Sequence, residues 1–393
     1  MTKQLSREQI DESNRVIELI LAGEDAKLEG RAGTGKTTTG RRILGMLGKY
    51  KAVCSAPTNI ATDVLRNEYG DMKGIDFSTT ASLLKSKKHI DLTNGQVNFI
   101  PTKETDHQEL LIITDEASML DEFSVRTLKK TFPNARFLFI GDAGQLPAPN
   151  DEDYCVLKVL RGGTLKFNHR CGQGNALFDF IENLYQGDLS LPKEAKDRIE
   201  YGDKRNLNID KLYVTYHNET CSKINDYLLK KHFDDRVQKG VKLISRETFS
   251  DANRYKVFNS ERMIVNHVEK TVYSTNKFEG PLALIARNHN FVSFVVNNVI
   301  CGKYKFRFSI DPEFLSFKQM LKDSELWKEY YTLVGMFPDV RLGYSTTTHC
   351  VQGITLPEVS MVWSDLIQAP PKIVKPLLYV AASRAQQKVE IIQ

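Results

Sequence analysis

The chain lacks any run of about 20 apolar residues, the length that a membrane-spanning helix needs. Its most apolar stretches, 136–140 and 291–300, have the length of strands. Its first residues, Met-Thr-Lys-Gln-Leu-Ser-Arg-Glu, hold no apolar leader core, so neither a membrane span nor a secretory leader is expected. Cysteine is scarce: Cys54, Cys155, Cys171, Cys221, Cys301 and Cys350, with no Cys-x-x-Cys pair. That spacing argues against a zinc finger or ribbon and fits reduced, cytoplasmic thiols. Glycine (24) and proline (13) are at ordinary levels, which excludes collagen-like and low-complexity chains. No repeat of fixed period and no long linker interrupts the chain. What is present is ordinary globular material: 393 residues, 41% hydrophobic and 26% charged, enough for two or three cores. A net charge of +5 is compatible with a nucleic-acid partner without demanding one.

The strongest local signal is Gly30-Arg-Ala-Gly33-Thr-Gly35-Lys36-Thr37, a phosphate-binding loop at every fixed position. Glycines at 30, 33 and 35 let backbone N–H groups turn inward around a triphosphate. Lys36 reaches the β- and γ-phosphates, and the Thr37 hydroxyl binds Mg²⁺. The amphipathic segment from Thr38 to about Lys49 follows as a helix whose positive end faces the phosphates. A nucleoside triphosphate and Mg²⁺ are thus the expected cofactors, with Thr38 among the nucleotide contacts. One feature is weak: the strand before the loop, 26–29, is barely apolar. Such a loop identifies nucleotide binding and little more. Farther on, Leu110-Leu-Ile-Ile-Thr-Asp115-Glu116 is an apolar strand ending in two acids. At the carboxyl end of a parallel strand, Asp115 would hold Mg²⁺ and Glu116 would accept a proton from the attacking water. A helix cap explains two such acids equally well when they are taken alone. A third strand, 136–140, leads into Gly141-Asp142-Ala-Gly-Gln145-Leu-Pro147, where Gln145 can sense the γ-phosphate or the water.

Together, Asp115-Glu116-Ala-Ser and Gly141-Asp142-x-x-Gln145-Leu-Pro147 resemble motifs II and III of superfamily 1 helicases. Gln9 resembles the adenine-contacting Q motif. Ala56-Pro-Thr58-Asn59 resembles motif Ia, and Ser78-Thr79-Thr-Ala-Ser82 resembles motif Ib. Arg170 resembles the motif IV arginine. Tyr344 to Thr355, with Thr347, His349, Gln352 and Gly353, resembles motif V. Leu378-Tyr379-Val-Ala-Ala-Ser383-Arg384-Ala385 resembles motif VI. The matches run from Gln9 to Ala385 and are most similar to the RecD-like branch, superfamily 1B, and within it to phage helicases of the Dda type. The family pattern carries His where Asn59 and Ala81 stand, and Lys where Cys350 stands.

The resemblance implies an α/β fold with two RecA-like domains built on parallel sheets. It implies ATP-driven 5′→3′ movement on single-stranded DNA and unwinding of duplex or fork DNA by a monomer, in a bacterial or phage-infected cytoplasm. It also brings single-strand-binding, replication or recombination proteins into view as partners. The expected organisation is a first domain at 1–160 with a hairpin insertion at 85–108. The second domain is split into 161–240 and 341–393 around an SH3-like and helical insertion at 241–340. In that insertion 263–265, 282–285, 291–294 and 304–308 read as strands, and 312–333 as helix. Asn94-Gly95 between alternating apolar residues is a hairpin turn signal. Phe99 on that hairpin either stacks on a base or packs on its own domain. Arg170 and Arg384 would reach across the cleft to the γ-phosphate, and an arginine so placed contributes about 10³–10⁵ in rate. Thr58, Asn59 and Thr79 on one side and Thr347 and His349 on the other are the DNA contacts. Their plain alternatives are helix caps and a buried histidine. Two rival functions stand beside this one: an RNA-directed helicase of the same superfamily, and a nucleic-acid-binding accessory protein with an impaired motor.

Overall fold

The computed structural model describes residues 5–84, 87–90, 97–100, 110–148, 151, 153–169 and 174–393, with backbone only at 87–90 and 97–100. The first half opens with helix α1 (Arg7–Leu21), strand β1 (Ala26–Gly30), α2 (Lys36–Met46), β2 (Lys51–Ala56), α3 (Asn59–Tyr69), β3 (Ile75–Thr79) and the short α4 (Thr80–Leu83). An antiparallel hairpin, β4 (Lys87–Ile90) and β5 (Val97–Ile100), comes next. Then follow β6 (Leu110–Thr114), α5 (Glu122–Thr131), β7 (Arg136–Gly141), α6 (Val156–Val159) and β8 (Gly162–Leu165). The six strands outside the hairpin form one parallel sheet in the order β3-β2-β6-β7-β1-β8.

Helices cover both faces of this sheet, and its central strands read accordingly. β6 and β7 are near-continuous apolar runs, buried throughout apart from Arg136. β1 looked too polar for a central strand, and its packing explains why it is not. Ala26 and Leu28 are fully buried on one face. On the other, Lys27 Nζ binds Glu29 Oε2 and the Leu157 carbonyl, both at 2.6 Å, so the two charges neutralise each other beneath α6. At the edge strand β8, the carboxylates of Glu8 and Glu12 on α1 accept the backbone N–H groups of Thr164, Lys166 and Phe167, closing an edge that could otherwise pair with another chain.

The second half continues with α7 (Ala176–Gln186), β9 (Ile199–Gly202), β10 (Tyr213–Thr215) and α8 (Asn218–Phe233). There follow β11 (Lys242–Ser245), β12 (Phe249–Ser250), β13 (Lys256–Val257), β14 (Arg262–Ile264), β15 (His267–Ser274), α9 (Gly280–Asn288), β16 (Ser293–Cys301), β17 (Tyr304–Phe308), α10 (Pro312–Asp323), α11 (Trp327–Met336) and β18 (Val340–Leu342). The chain then returns through β19 (Ser345–Thr347), α12 (Thr348–Val351), β20 (Leu356–Val362), α13 (Trp363–Leu366), α14 (Pro371–Ser383) and β21 (Ala385–Ile392). A five-stranded parallel sheet of order β19-β10-β20-β21-β9 results. Its winding repeats that of the first sheet strand for strand: β9, β10, β19, β20 and β21 take the places of β1, β2, β3, β6 and β7. The two α/β sheets are the RecA-like pair expected of the fold.

Everything from β11 to β18 is inserted into the crossover between α8 and β19. It forms two three-stranded antiparallel sheets, β14-β11-β18 and β15-β16-β17, a two-stranded ribbon β12-β13, and helices α9, α10 and α11. One expected strand is a helix instead. Residues 282–285 lie in α9, which starts at Gly280-Pro281, buries Leu282 and Ala286 four residues apart, and leaves Leu284 exposed. Proline at the first helical turn and the good helix formers Leu and Ala outweigh the apolar run that suggested a strand.

Candidate nucleotide site and single-strand face

The loop between β1 and α2 turns through Gly33 (φ 87°) and Gly35 (φ 82°), left-handed positions that glycine adopts without strain. A Cβ on Gly35 would also collide with Gln9 Nε2. Gln9 has a role that its sequence position did not reveal. It closes a capping box with Ser6 at the start of α1, and its buried side chain donates to the Thr34 carbonyl at 3.4 Å. It therefore ties α1 to the phosphate loop. The Lys36 ammonium rests on the loop's own carbonyls, 2.7 Å from Gly30 O and 3.2 Å from Arg31 O. Tyr69 Oη donates to the Thr37 carbonyl at 3.0 Å and holds the first turn of α2, on which Thr37 and Thr38 are half-buried.

The carboxyl ends of β6 and β7 lie beside this loop. Asp115 accepts the Glu116 N–H on its Oδ1 at 2.9 Å. Burial pushes its carboxyl up to about 6, the Glu116 charge adds to the shift, and the Lys36 charge opposes it. Glu116 sits at φ 51°, a left-handed position that costs a non-glycine residue about 1–3 kcal/mol and persists where the surroundings enforce it. Asp115 and the Thr37 hydroxyl are hard oxygen donors and fit Mg²⁺, which typically takes one or two protein oxygens and completes its shell with phosphates and water. Among the described residues no group of three or more His, Cys, Asp or Glu side chains could hold a metal by itself.

Across the cleft, the second half reaches this site at several points. The Asp142 carboxylate, 1% exposed, accepts Gly144 N–H on Oδ1 at 3.0 Å and the Tyr379 hydroxyl on Oδ2 at 2.7 Å. The same Tyr379 oxygen accepts the Ala32 N–H at 3.2 Å, so a residue of α14 bridges the phosphate loop and the loop after β7. Gln145 is buried, not a solvated turn residue, and accepts from Gln352 Nε2 at 3.3 Å. A Cβ on Gly353 would lie 3.6 Å from Glu116 Oε1, which sets this glycine against the carboxylate. Arg31 pairs with Glu182 on α7 and lies 3.8 Å over the Tyr185 ring. Asn168 Nδ2 and the His169 N–H donate to the carbonyls of Ala32 and Gly33. Arg384 is 4% exposed at the end of α14, bonded to Ile354 O and Ser383 Oγ, and its Nε has no partner among the described residues. Arg170 lies outside the described residues.

In the second sheet the corresponding carboxyl edge is built differently. Asp365 accepts from the N–H groups of Tyr216 and His217, the Thr220 hydroxyl and His217 Nδ1, so its carboxylate fills the place in front of α8. Only the first sheet carries the phosphate loop.

The expected nucleic-acid contacts lie at the carboxyl ends of the outer strands. Thr58 caps α3 after β2, accepting Ala61 N–H at 3.2 Å, and Asn59 opens that helix. Thr79 caps α4 after the edge strand β3. Thr347 is the cap residue of α12 after the edge strand β19, the same position of the repeated winding, and its hydroxyl donates to Cys350 Sγ at 3.5 Å. The cap reading is therefore correct for Thr58 and Thr79, and it sets both hydroxyls at the surface edge of the first sheet. His349 is exposed, contrary to the buried alternative, and its crowded surroundings hold the ring below the usual histidine pKa. Phe99 lies on β5 opposite Lys88; its side chain and the turn at 94–95 are outside the described residues.

Residues 4–188 match the AAA domain family. The RecBCD enzyme subunit RecD of Mycobacterium tuberculosis is 27% identical over 229 residues, covering 49% of this chain and 38% of that protein. The chain thus spans about two fifths of the length of the curated relatives it matches. Among solved structures, two coordinating Pif1 helicases at forked double-stranded DNA align over 98% of this chain and 92% of theirs, with a TM-score of 0.56 and 16% identity. A Pif1 helicase from Bacteroides in complex with ADP-AlF3 and single-stranded DNA aligns over 99% and 92%, with a TM-score of 0.55 and 16% identity. At that identity the likeness establishes the RecA-like fold. No helix among the described residues is long and apolar enough to cross a membrane.

The raised pKa of Asp115 has a measurable consequence. Folding stability from this group is fully present below its unfolded value near 3.8 and is lost as pH rises through about 6, because the fold penalises the ionised form. Asp115→Asn removes that penalty. Two units at about 1.4 kcal/mol each set an upper bound near 3 kcal/mol, and the side chain's partial exposure reduces it to about 1–2 kcal/mol. Without nucleotide, the variant is expected to melt a few degrees higher than wild type at pH 7.5, with the gap roughly halved at pH 5 and closed only below the unfolded value near 3.8. An equal or lower melting temperature at pH 7.5 would show that Asp115 is not desolvated.

Proposed function

We propose that this chain is an ATP-driven helicase of superfamily 1, RecD-like, that moves on single-stranded DNA and opens duplex or fork DNA. One observation carries the reading: the phosphate loop and the acidic pair of one RecA-like sheet face Gln352, Gly353 and Tyr379 of the other across a single cleft. A nucleotide held by Lys36, Thr37 and Thr38, with Mg²⁺ on Thr37 and Asp115, touches both halves, so its hydrolysis changes how they sit together. Glu116 takes the proton of the attacking water, and Gln145 reports the γ-phosphate to Gln352. Arg384, and Arg170 by resemblance, neutralise charge on the transferred phosphoryl group. The strand lies across Thr58, Asn59, Thr79, Thr347 and His349, held mainly through its backbone. Movement is 5′→3′ as in the RecD-like branch, with the hairpin and Phe99 at the junction, and the monomer is the working unit. The names of the relatives, RecD and Pif1 helicases, support the same reading.

The test is ATP hydrolysis with and without oligo-dT, beside Lys36→Ala. Strong stimulation by DNA, absent in the variant, is the expected result. A rate that ignores DNA, or DNA binding without turnover, would overturn the motor in favour of a nucleic-acid-binding accessory protein. Stimulation by oligo-rU in place of oligo-dT would redirect the reading to RNA.

A further inference from the structure

Position 31 is free in the phosphate-loop pattern, yet it carries an arginine whose side chain leaves the loop for the other half of the molecule. Arg31 Nη1 donates to Glu182 Oε2 on α7, and both side chains of this ion pair are half-buried. The guanidinium carbon also lies 3.8 Å over the centre of the Tyr185 ring. Glu182 and Tyr185 stand three residues apart on α7 and so share one face of that helix. An arginine suits both partners at once, because its planar fork pairs with a carboxylate at its edge while its face stacks on a ring.

The seat of this arginine is itself built from both halves. The Tyr185 ring meets the Tyr379 ring edge to face, 5.1 Å between centres, and Tyr379 in turn bonds Ala32 and Asp142. The loop after β7 makes room for Tyr185, since a Cβ on Gly144 would overlap its ring. Glu182 is steadied by Gln186 Nε2, which donates to its Oε1 at 3.0 Å. The backbone of Arg31 belongs to the nucleotide site as well: its carbonyl and that of Gly30 hold the Lys36 ammonium. A triphosphate that takes Lys36 releases that carbonyl. The contact with α7 and the nucleotide therefore act on the same residue of the loop.

We propose that Arg31, Glu182 and Tyr185 form a clasp across the cleft that sets the rate of nucleotide exchange. A nucleotide in the loop lies between the two halves and stays enclosed while they are held together. The clasp holds them by a charge pair and a stacked ring, and release waits for it to open. This rests on the nucleotide reading of the cleft. Glu182 and Tyr185 are positioning residues here, acting through Arg31.

The experiment follows release of a fluorescent ADP analogue, loaded on the full chain with Mg²⁺ and chased with excess ADP in a stopped flow, for wild type, E182Q and Y185L at several salt concentrations. Each variant is expected to release the analogue about threefold to tenfold faster, the size that one half-exposed ion pair or one cation–ring contact supports. The gap between wild type and E182Q is expected to narrow as salt rises, because screening weakens the pair that only wild type has. A loss of packing would not respond to salt in this way. Glu182 is on the half-exposed face of a surface helix, so E182Q keeps the test decisive if Y185L folds poorly. A release rate in E182Q within about twofold of wild type, or a gap that ignores salt, overturns the clasp alone. Failure of the wild type to bind the analogue overturns the nucleotide reading on which it rests.

Discussion

Glu116→Gln is expected to lower DNA-stimulated ATP turnover by about 10²–10⁴-fold while nucleotide affinity stays within a few-fold of wild type. The amide keeps the size of the carboxylate, so the left-handed turn at Glu116 and its contact with Gly353 survive. What would be lost is the group proposed to take a proton from water. Asp115 is not expected to replace it, because its buried carboxyl faces the Lys36 charge and would be taken up in holding Mg²⁺. Binding of a fluorescent ATP analogue, read beside phosphate release in a single turnover, separates the two effects. Equal losses in affinity and in rate would instead give Glu116 a role in holding the metal.

The larger effect belongs to Arg384. Its guanidinium is buried, and one nitrogen, Nε, has no partner among the described residues. A buried donor left unmatched costs about 1–3 kcal/mol, a cost that a phosphate oxygen can relieve when the cleft closes. Arg384→Ala is expected to reduce turnover by about 10³–10⁵-fold, and Arg384→Lys to recover little, since an ammonium cannot present the planar fork. Oligo-dT affinity in the absence of nucleotide should stay close to wild type in both variants. Near-normal turnover in the alanine variant would return Arg384 to a purely structural role.

The phosphate loop, the acids at 115–116 and Gln145 were legible because each is local: a strand, a turn and a polar group adjacent in sequence. The clamp on the loop was not. Tyr379, Glu182 and Tyr185 meet Ala32 and Arg31 only after two sheets have folded and docked, and nothing near residue 31 announces partners so far along the chain. The repeat was hidden for a related reason. It lies in the order of strands, not in residues, and the insertion between α8 and β19 destroys any fixed period. The helix at 280–288 was misread because a short apolar run fits a strand or a buried helix equally well until Pro281 is weighed as a start signal. At Cys350 the departure from the family pattern was visible in sequence, whereas Arg246, which donates to its sulfur, was not.

The split of the second sheet also bears on how the protein is made. The first sheet is complete once β8 has left the ribosome, because all six of its strands are contiguous in the chain apart from a small hairpin. The second is not: β9 pairs only with β21, and β10 lies between β19 and β20, all three partners emerging after the insertion. During synthesis β9 and β10 therefore wait with bare hydrogen-bonding edges while the insertion is translated and folds. Edges left bare for that interval are where another nascent chain could pair.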